Sequence, residues 1–89
     1  MVRYRIRFTG RVQHVGFRWK AERLAEALSL TGWVKNMWDG SVMVEIQGDE
    51  QQIVHMVDRL RNDDYIMIDN AEWEEIDPLE RERSFSVKF

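Results

Sequence analysis

The stretch WVKNMWDGSVMVEIQ, residues 33–47, decides the fold that the sequence predicts. Trp33–Met37 reads as one strand, and Ser41–Gln47 reads as its returning partner, with valine and isoleucine alternating on one face. Between them stands Asp39-Gly40, a two-residue turn signal because both positions tolerate positive φ. We therefore predict a β-hairpin at the centre of the chain.

A strand and a helix are predicted on the N-terminal side of this hairpin. The strand alternates apolar residues with Arg3, Arg5 and Arg7, which indicates one buried face and one solvated, arginine-bearing face. The helix shows an apolar stripe at helical spacing that stops near Leu30, and Gly32 is a natural C-terminal stop. The apolar positions are Val2, Tyr4, Ile6 and Phe8 in the strand and Phe17, Ala21, Leu24, Ala25 and Leu28 in the helix.

The C-terminal side repeats this pattern with a second helix and further strands. Asp49 followed by Gln52 resembles a capping box, and it precedes a second amphipathic stripe at Ile53, Met56, Val57 and Leu60. Ala71–Ile76 reads as a strand, and alternating apolar residues in 85–89 end the chain as another.

The resulting order, β-α-β-β-α-β with a short extra strand, predicts an α+β fold. It is the ferredoxin-like arrangement, a mostly antiparallel sheet with two helices on one face. No linker or repeat interrupts residues 1–89, so we expect a single domain. Because this fold hosts many unrelated functions, the function has to be argued from the site.

Composition and charge narrow the class of protein. The chain has no cysteine, which excludes thiolate catalysis and disulfides and fits a cytoplasmic protein. No apolar run approaches the roughly 20 residues of a membrane span, and the N-terminus lacks a signal peptide's apolar stretch. The charge balance is +6 in residues 1–38 and −9 in residues 39–89. The net charge of −3 argues against non-specific nucleic-acid binding, although the positive half can attract a small anion.

The connector GRVQHVGFRW, residues 10–19, carries the most suggestive chemistry. It leads into the first helix, where backbone N–H groups lack intrahelical partners and carry partial positive charge. Its glycines allow these groups to converge on one anion, and Arg18 can hold two oxygens in its fork. The alternative is a tight turn whose glycines serve geometry and whose arginine is solvated.

Two motifs resemble those of the acylphosphatase family. The family signature G-x-V-Q-G-V-x-F-R compares with GRVQHVGFR here, with one departure at His14. The second signature, G-W-V-x-N followed by a D-G hairpin, compares with GWVKNMWDGSV at residues 32–42. Chain length and element order also agree, so the resemblance spans essentially all of the chain.

The resemblance implies hydrolysis of small acyl phosphates to a carboxylate and inorganic phosphate, without a metal or other cofactor. The phosphate would lie on the Gln13–Arg18 loop, with Arg18 binding its oxygens. Asn36 would orient the attacking water through its side-chain amide. We expect a monomer that acts on a small molecule and binds neither nucleic acid nor membrane. The site residues implied are Gln13, His14, Val15, Gly16, Phe17, Arg18 and Asn36.

His14 leaves three interpretations open, because histidine enters the left-handed region more readily than most residues. The substitution is tolerated with the imidazole facing solvent. Alternatively, the loop closes less well around phosphate or its mouth is partly covered, which gives weak or no activity. In the third interpretation, protonated His14 assists phosphate binding near pH 6.

Three other classes of function are compatible with this fold. The alternatives are an inactive anion-binding domain, an RNA-binding sheet, for which no Lys/Arg-Gly-aromatic motif is present, and an interaction module using an edge strand. We expect Gln13 to shape the loop, and Trp19 to pack. Trp38 caps the sheet or lines the cleft. His55 lies off the apolar stripe, and no local spacing supports a metal site formed with His14.

Overall fold

Seven secondary-structure elements make up the chain, and the structure, a computed structural model, describes all of residues 1–89. They are β1 (Val2–Arg11), α1 (Phe17–Ala27), β2 (Thr31–Asn36), β3 (Val42–Gly48), α2 (Glu50–Arg61), β4 (Met67–Ile76) and β5 (Phe85–Lys88).

The five strands form one sheet in the order β4-β1-β3-β2-β5. Three neighbouring pairs are antiparallel and only β2 and β5 run parallel, so the mostly antiparallel α+β fold is confirmed. Both helices contribute to a single core of 18 buried apolar residues with the sheet, including Ile6 and Phe8 of β1 and Val44 and Ile46 of β3. The helices therefore cover one face and leave the other without helical cover.

The central hairpin forms where the sequence predicts it, but its turn is longer. Met37 and Ser41 close it, with the Met37 N–H donating to the Ser41 carbonyl at 2.8 Å and the Gly40 N–H to the Met37 carbonyl at 3.2 Å. Within the turn, only Gly40 has a positive φ. The hairpin therefore has a three-residue loop, in which a glycine follows an ordinary turn. The prediction of a two-residue turn is therefore wrong, because Asp39 keeps negative φ and uses its carboxylate to accept from the Ser41 N–H and hydroxyl.

The end of α1 also differs from the prediction. The helix ends at Ala27, and Ser29 adopts φ 58, with the Leu30 N–H donating to the Ala25 carbonyl at 2.8 Å. This is a helix end of the Schellman type with serine in the position that glycine usually occupies. Gly32 lies instead inside β2, where a Cβ would come 1.9 Å from the Glu45 carbonyl oxygen. It is there for close strand contact, not to stop the helix.

Strand β4 begins at Met67, four residues before the predicted start. Its first two residues, Met67 and Ile68, pair with Arg11 and Gly10 beyond an irregularity at Thr9/Gly10. Pairing with a long neighbouring strand thus outweighs the weak local propensity of Asp69 and Asn70.

A buried polar cluster lies on the sheet face that carries no helix. Arg3 is 1% exposed, and its guanidinium donates to Glu45 at 2.9 Å, to Gln47 at 3.2 Å and to Glu82 at 2.7 Å. Gln47 in turn bonds both the N–H and the carbonyl of Leu79, at 2.8 and 2.9 Å. The connector between β4 and β5 therefore covers this end of the face, and the expectation of a solvated Arg3 is wrong. We call Arg3, Glu45, Gln47 and Glu82 the Arg3 cluster.

Charge compensation explains how the Arg3 cluster tolerates burial. Burial raises the pKa of Glu45, but hydrogen bonds from Arg3 and Arg5 outweigh it, so the pKa of Glu45 lies below its ordinary value.

Neither helix is long and apolar enough to cross a membrane.

Candidate active site

The backbone between β1 and α1 forms a concave turn with unpaired donors. His14 and Gly16 have φ of 63° and 82°, and Val15 between them has an ordinary negative φ. Such alternation turns successive N–H groups toward one side. None of the N–H groups from Gln13 to Trp19 donates to another protein atom, and no side chain caps the helix. The turn therefore presents open donors at a positive helix end.

Gln13 fixes this turn to the central hairpin. Its Nε2 donates to the carbonyl oxygens of Met37 and Ser41, at 2.7 and 2.9 Å. These two bonds reach the base of the hairpin, directly after Asn36. The loop that begins α1 and the strand end that carries Asn36 are thus linked by one side chain.

A cleft of about 540 Å³ opens beside this turn, between the start of α1 and β5. Of the residues that the sequence proposes for the site, the structure places five on its walls: His14, Gly16, Phe17, Arg18 and Asn36. Gln13 and Val15 do not line it, because Gln13 bonds the hairpin and Val15 packs against the core.

Arg18 is a half-buried cation without a carboxylate partner. It takes part in none of the seven ion pairs of the chain, and its side chain donates no hydrogen bond to protein. Its guanidinium carbon lies 4.9 Å from the centre of the Phe89 ring, a distance that fits a cation–π contact. The ring restrains the guanidinium and leaves its N–H donors available.

Asn36 ends β2 and lines the cleft. Its Oδ1 is the one buried side-chain nitrogen or oxygen atom in the chain without a hydrogen-bond partner. Buried polar groups are rarely left unpaired, so Asn36 differs in this respect from every other buried polar side chain of the protein. The hairpin that holds Asn36 is itself stabilised at Asp39, whose pKa is lowered by hydrogen bonds from the Ser41 hydroxyl and Arg7.

The cleft also contains residues that sequence reasoning missed. Trp19 and Glu22 line it from α1, and Phe89 lines it from the end of the chain. Trp19 is 62% exposed, so the expectation that it serves packing is wrong. Trp38 is 97% exposed and outside the cleft. The spacing of Arg18, Trp19 and Glu22 was the available signal, because residues three and four apart share a helix face.

The fold and this cleft together define a class: a ferredoxin-like α+β domain with an anion-receptive loop at the start of its first helix. Comparisons with known proteins identify the family within that class. The acylphosphatase family profile matches residues 4–87. The chain belongs to the acylphosphatase family, and the expectation of an acyl phosphate hydrolase is confirmed at that level.

Individual relatives agree along the full length. The acylphosphatase of Clostridium beijerinckii is 36% identical over 90 residues, which cover 100% of both chains. The crystal structure of acylphosphatase from Bacillus subtilis superposes with a TM-score of 0.91 at 34% identity, again over 100% of both chains. An acylphosphatase structure from Coxiella burnetii gives 0.87 at 33% identity, over 98% of this chain and 92% of its own.

Proposed function

We propose that the cleft is the active site, in which the chain hydrolyses acyl phosphates through the Gln13–Arg18 loop and Asn36. The observation that carries this proposal is the coincidence of three unsatisfied groups in one cleft. They are the free loop N–H groups, the unpaired Arg18 guanidinium and the side-chain amide of Asn36, whose Oδ1 has no hydrogen-bond partner.

The loop and Arg18 bind the phosphoryl group in this proposal. Phosphoryl transfer proceeds through a loose transition state whose negative charge is spread over the equatorial oxygens. Preorganised N–H donors and a guanidinium stabilise that charge without reorganising during the reaction. Phe89 restrains Arg18 from one side, which lowers the entropy lost when the guanidinium engages the phosphate.

Asn36 orients the attacking water. A neutral amide is too weak a base to deprotonate water, but it can hydrogen-bond the water and so fix its position. The water oxygen then bonds to phosphorus. The bond from phosphorus to the acyl oxygen breaks, and its electron pair stays with the departing carboxylate. The water proton passes to the phosphate oxygens or to solvent. A carboxylate leaves readily, so the site needs no strong general acid.

Two substitutions test the assignment. Arg18→Ala should reduce kcat/KM for acetyl phosphate more than 100-fold, a loss typical of a removed transition-state donor. Asn36→Ala should cause a loss of the same order, on the order of 100-fold, because the attacking water is no longer oriented. Circular dichroism and the thermal midpoint should remain those of the parent. Arg59→Ala and Asn70→Ala are matched controls, because both side chains are exposed, unpaired and outside the cleft. Parent-like rates in Arg18→Ala or Asn36→Ala would contradict the mechanism.

A catalytically weak, anion-binding domain is the second candidate, and the observation that favours it is the place of His14. Its side chain is exposed at the wall of the cleft, and its backbone has the φ that usually selects glycine. Calorimetric titration with inorganic phosphate, run beside the hydrolysis assay, separates the two candidates. Phosphate binding without turnover supports the second candidate.

The finer properties expected from the sequence are part of the proposal. We expect one domain over residues 1–89 that acts as a monomer in the cytoplasm, requires no metal and binds no nucleic acid. The acidic net charge and the lack of cysteine support this expectation. Light scattering after size exclusion tests the monomeric state. An activity assay in the presence of a chelator tests whether a metal is required.

A further inference from the structure

Glu22 is an unexplained feature of the cleft, because it places a carboxylate in a site that otherwise attracts anions. It is half-buried, lines the cleft and takes part in no ion pair. It follows Arg18 by four residues, about 6 Å along the axis of α1, on the same helix face. It nevertheless does not neutralise Arg18.

The surroundings of Glu22 provide it with no cationic partner. Arg23, the adjacent cation, stacks on the Trp19 ring at 5.2 Å. Lys88 of β5 stacks on Trp33 at 4.6 Å, and the remaining charged group on the same helix face, Glu26, is exposed one turn further on. The residues of β5 that line the cleft opposite α1 are uncharged.

The topology gives the cleft two ends. β5 runs parallel to β2, with Val87 beside Val34 and Lys88 beside Lys35, so Phe89 lies level with Asn36. Arg18 contacts Phe89 and therefore belongs to the same end. Glu22 lies one helical turn away from this end, toward the beginning of β5. A phosphate at Arg18 thus leaves its organic substituent between Trp19, Glu22 and β5.

We propose that Glu22 is a specificity-determining residue that selects the charge of the acyl group. Acyl groups that carry a second negative charge are rejected, and acyl groups that carry an ammonium group are favoured over neutral ones. The volume of about 540 Å³ is within the range of about 300–1,000 Å³ of clefts that hold whole small molecules, which leaves room beyond the phosphate. This proposal rests on the proposed function, because it takes the phosphate to bind at Arg18.

Three phosphonates of matched length test the proposal without depending on turnover: propylphosphonate, 3-aminopropylphosphonate and 3-phosphonopropionate. They differ at the far end in charge, which is zero, positive and negative. Each is titrated into the protein by calorimetry and also measured as an inhibitor of acetyl phosphate hydrolysis. Reversing one charge about 5 Å from Glu22 in a largely aqueous cleft changes affinity on the order of tenfold. We therefore expect the amino compound to bind about tenfold more tightly than the carboxylate.

Glu22→Gln should bring the two dissociation constants to within about twofold of each other. It should also tighten the binding of propylphosphonate, because it removes the repulsion between Glu22 and the phosphonate group that all three compounds share. Raising the salt concentration to 1 M should narrow the difference in the parent, because the screening length falls from about 10 Å at 0.1 M to about 3 Å at 1 M. Glu26→Gln is the matched control: it removes the same charge from the same helix, outside the cleft. It should preserve the parent's preference.

The outcomes separate this proposal from the proposed function. If the phosphonates and inorganic phosphate bind and acetyl phosphate is hydrolysed, but Glu22→Gln leaves the charge preference unchanged, the role of Glu22 is refuted and the active site stands. Equal affinities for all three phosphonates in the parent refute it too. If nothing binds and nothing is hydrolysed, the proposed function fails first, and the role of Glu22 fails with it.

Discussion

Arg3 lies on the helix-free face of the sheet and Arg18 lies at the start of α1, and their guanidinium groups have opposite surroundings. Arg3 is 1% exposed and donates to Glu45, Gln47 and Glu82. Arg18 is half-buried, takes part in no ion pair and lies against the ring of Phe89. The guanidinium of Arg3 therefore has its hydrogen-bond partners within the protein, whereas the guanidinium of Arg18 has none.

The difference shows how to distinguish a structural arginine from a binding arginine. Burying an unpaired charge is costly, so a charge removed from water is normally given its partners by the fold. The Arg3 cluster receives them from β1, β3 and the β4–β5 connector. Arg18 instead leaves its donors free beside open N–H groups, which suits an anion that arrives from solution. For these two arginines, the lack of protein partners thus indicates a binding role better than the degree of burial does.

Removing the Arg3 side chain is the strongest test of this contrast on the stability side. Arg3→Met leaves Glu45 and Glu82 without their central cation, and breaking one partner of a buried pair costs about 3–5 kcal/mol. We expect the free energy of unfolding in urea to fall by that amount. The folded fraction should retain kcat/KM for acetyl phosphate, the reverse of the result expected for Arg18→Ala.

Arg7→Met is the matched control for this substitution. Arg7 lies on the same face of β1 and pairs with Asp39 and Glu72, but its side chain is 38% exposed. Exposed pairs contribute about 0–1 kcal/mol, so the loss should be correspondingly small. Equal losses in the two variants would show that burial does not set the energetics of these arginines.

Acid should weaken the Arg3 cluster through Glu45. Because the pKa of Glu45 in the folded chain lies below its ordinary value of 4.5, its contribution is complete above that pH. It is lost progressively as the pH falls from 4.5 through the lowered pKa. We expect unfolding free energies measured between pH 7 and pH 3 to fall more steeply in the parent than in Glu45→Gln. Identical slopes below pH 4.5 would contradict the assignment.

The sequence predicted the features that depend on local spacing. Apolar periodicity located both helices and the central hairpin, because a period of two or of 3.6 records which face is buried. The two motifs contain His14, Gly16, Phe17, Arg18 and Asn36, and the structure places all five around one cleft. These predictions needed only neighbouring residues and a family pattern.

The features that were missed depend on contacts between distant residues. The alternation of β1 treats Arg3, Arg5 and Arg7 alike, whereas the contact with Glu82, 79 residues away, buries only Arg3. Likewise, helical spacing puts Trp19 and Glu22 on the same face as Arg18, but that face borders a cleft only because β5 returns beside α1.

His14 provides the smallest expected effect and refines the description of the open site. A non-glycine residue in the left-handed region costs on the order of 1 kcal/mol. His14→Gly should therefore raise the unfolding free energy by no more than about that amount, and its turnover of acetyl phosphate should match or exceed the parent's. Measured kinetics and urea denaturation check both points.

Ser29→Gly is the control, because Ser29 is the other non-glycine residue with positive φ, at 58°, and it lies at the far end of α1. It should give a similar gain in stability with unchanged kinetics. If His14→Gly instead loses turnover severalfold while Ser29→Gly does not, the imidazole itself assists the anion. The cleft would then possess a second cationic group beside Arg18. It would differ from the Arg3 cluster in its excess of positive charge as well as in its lack of hydrogen-bond partners.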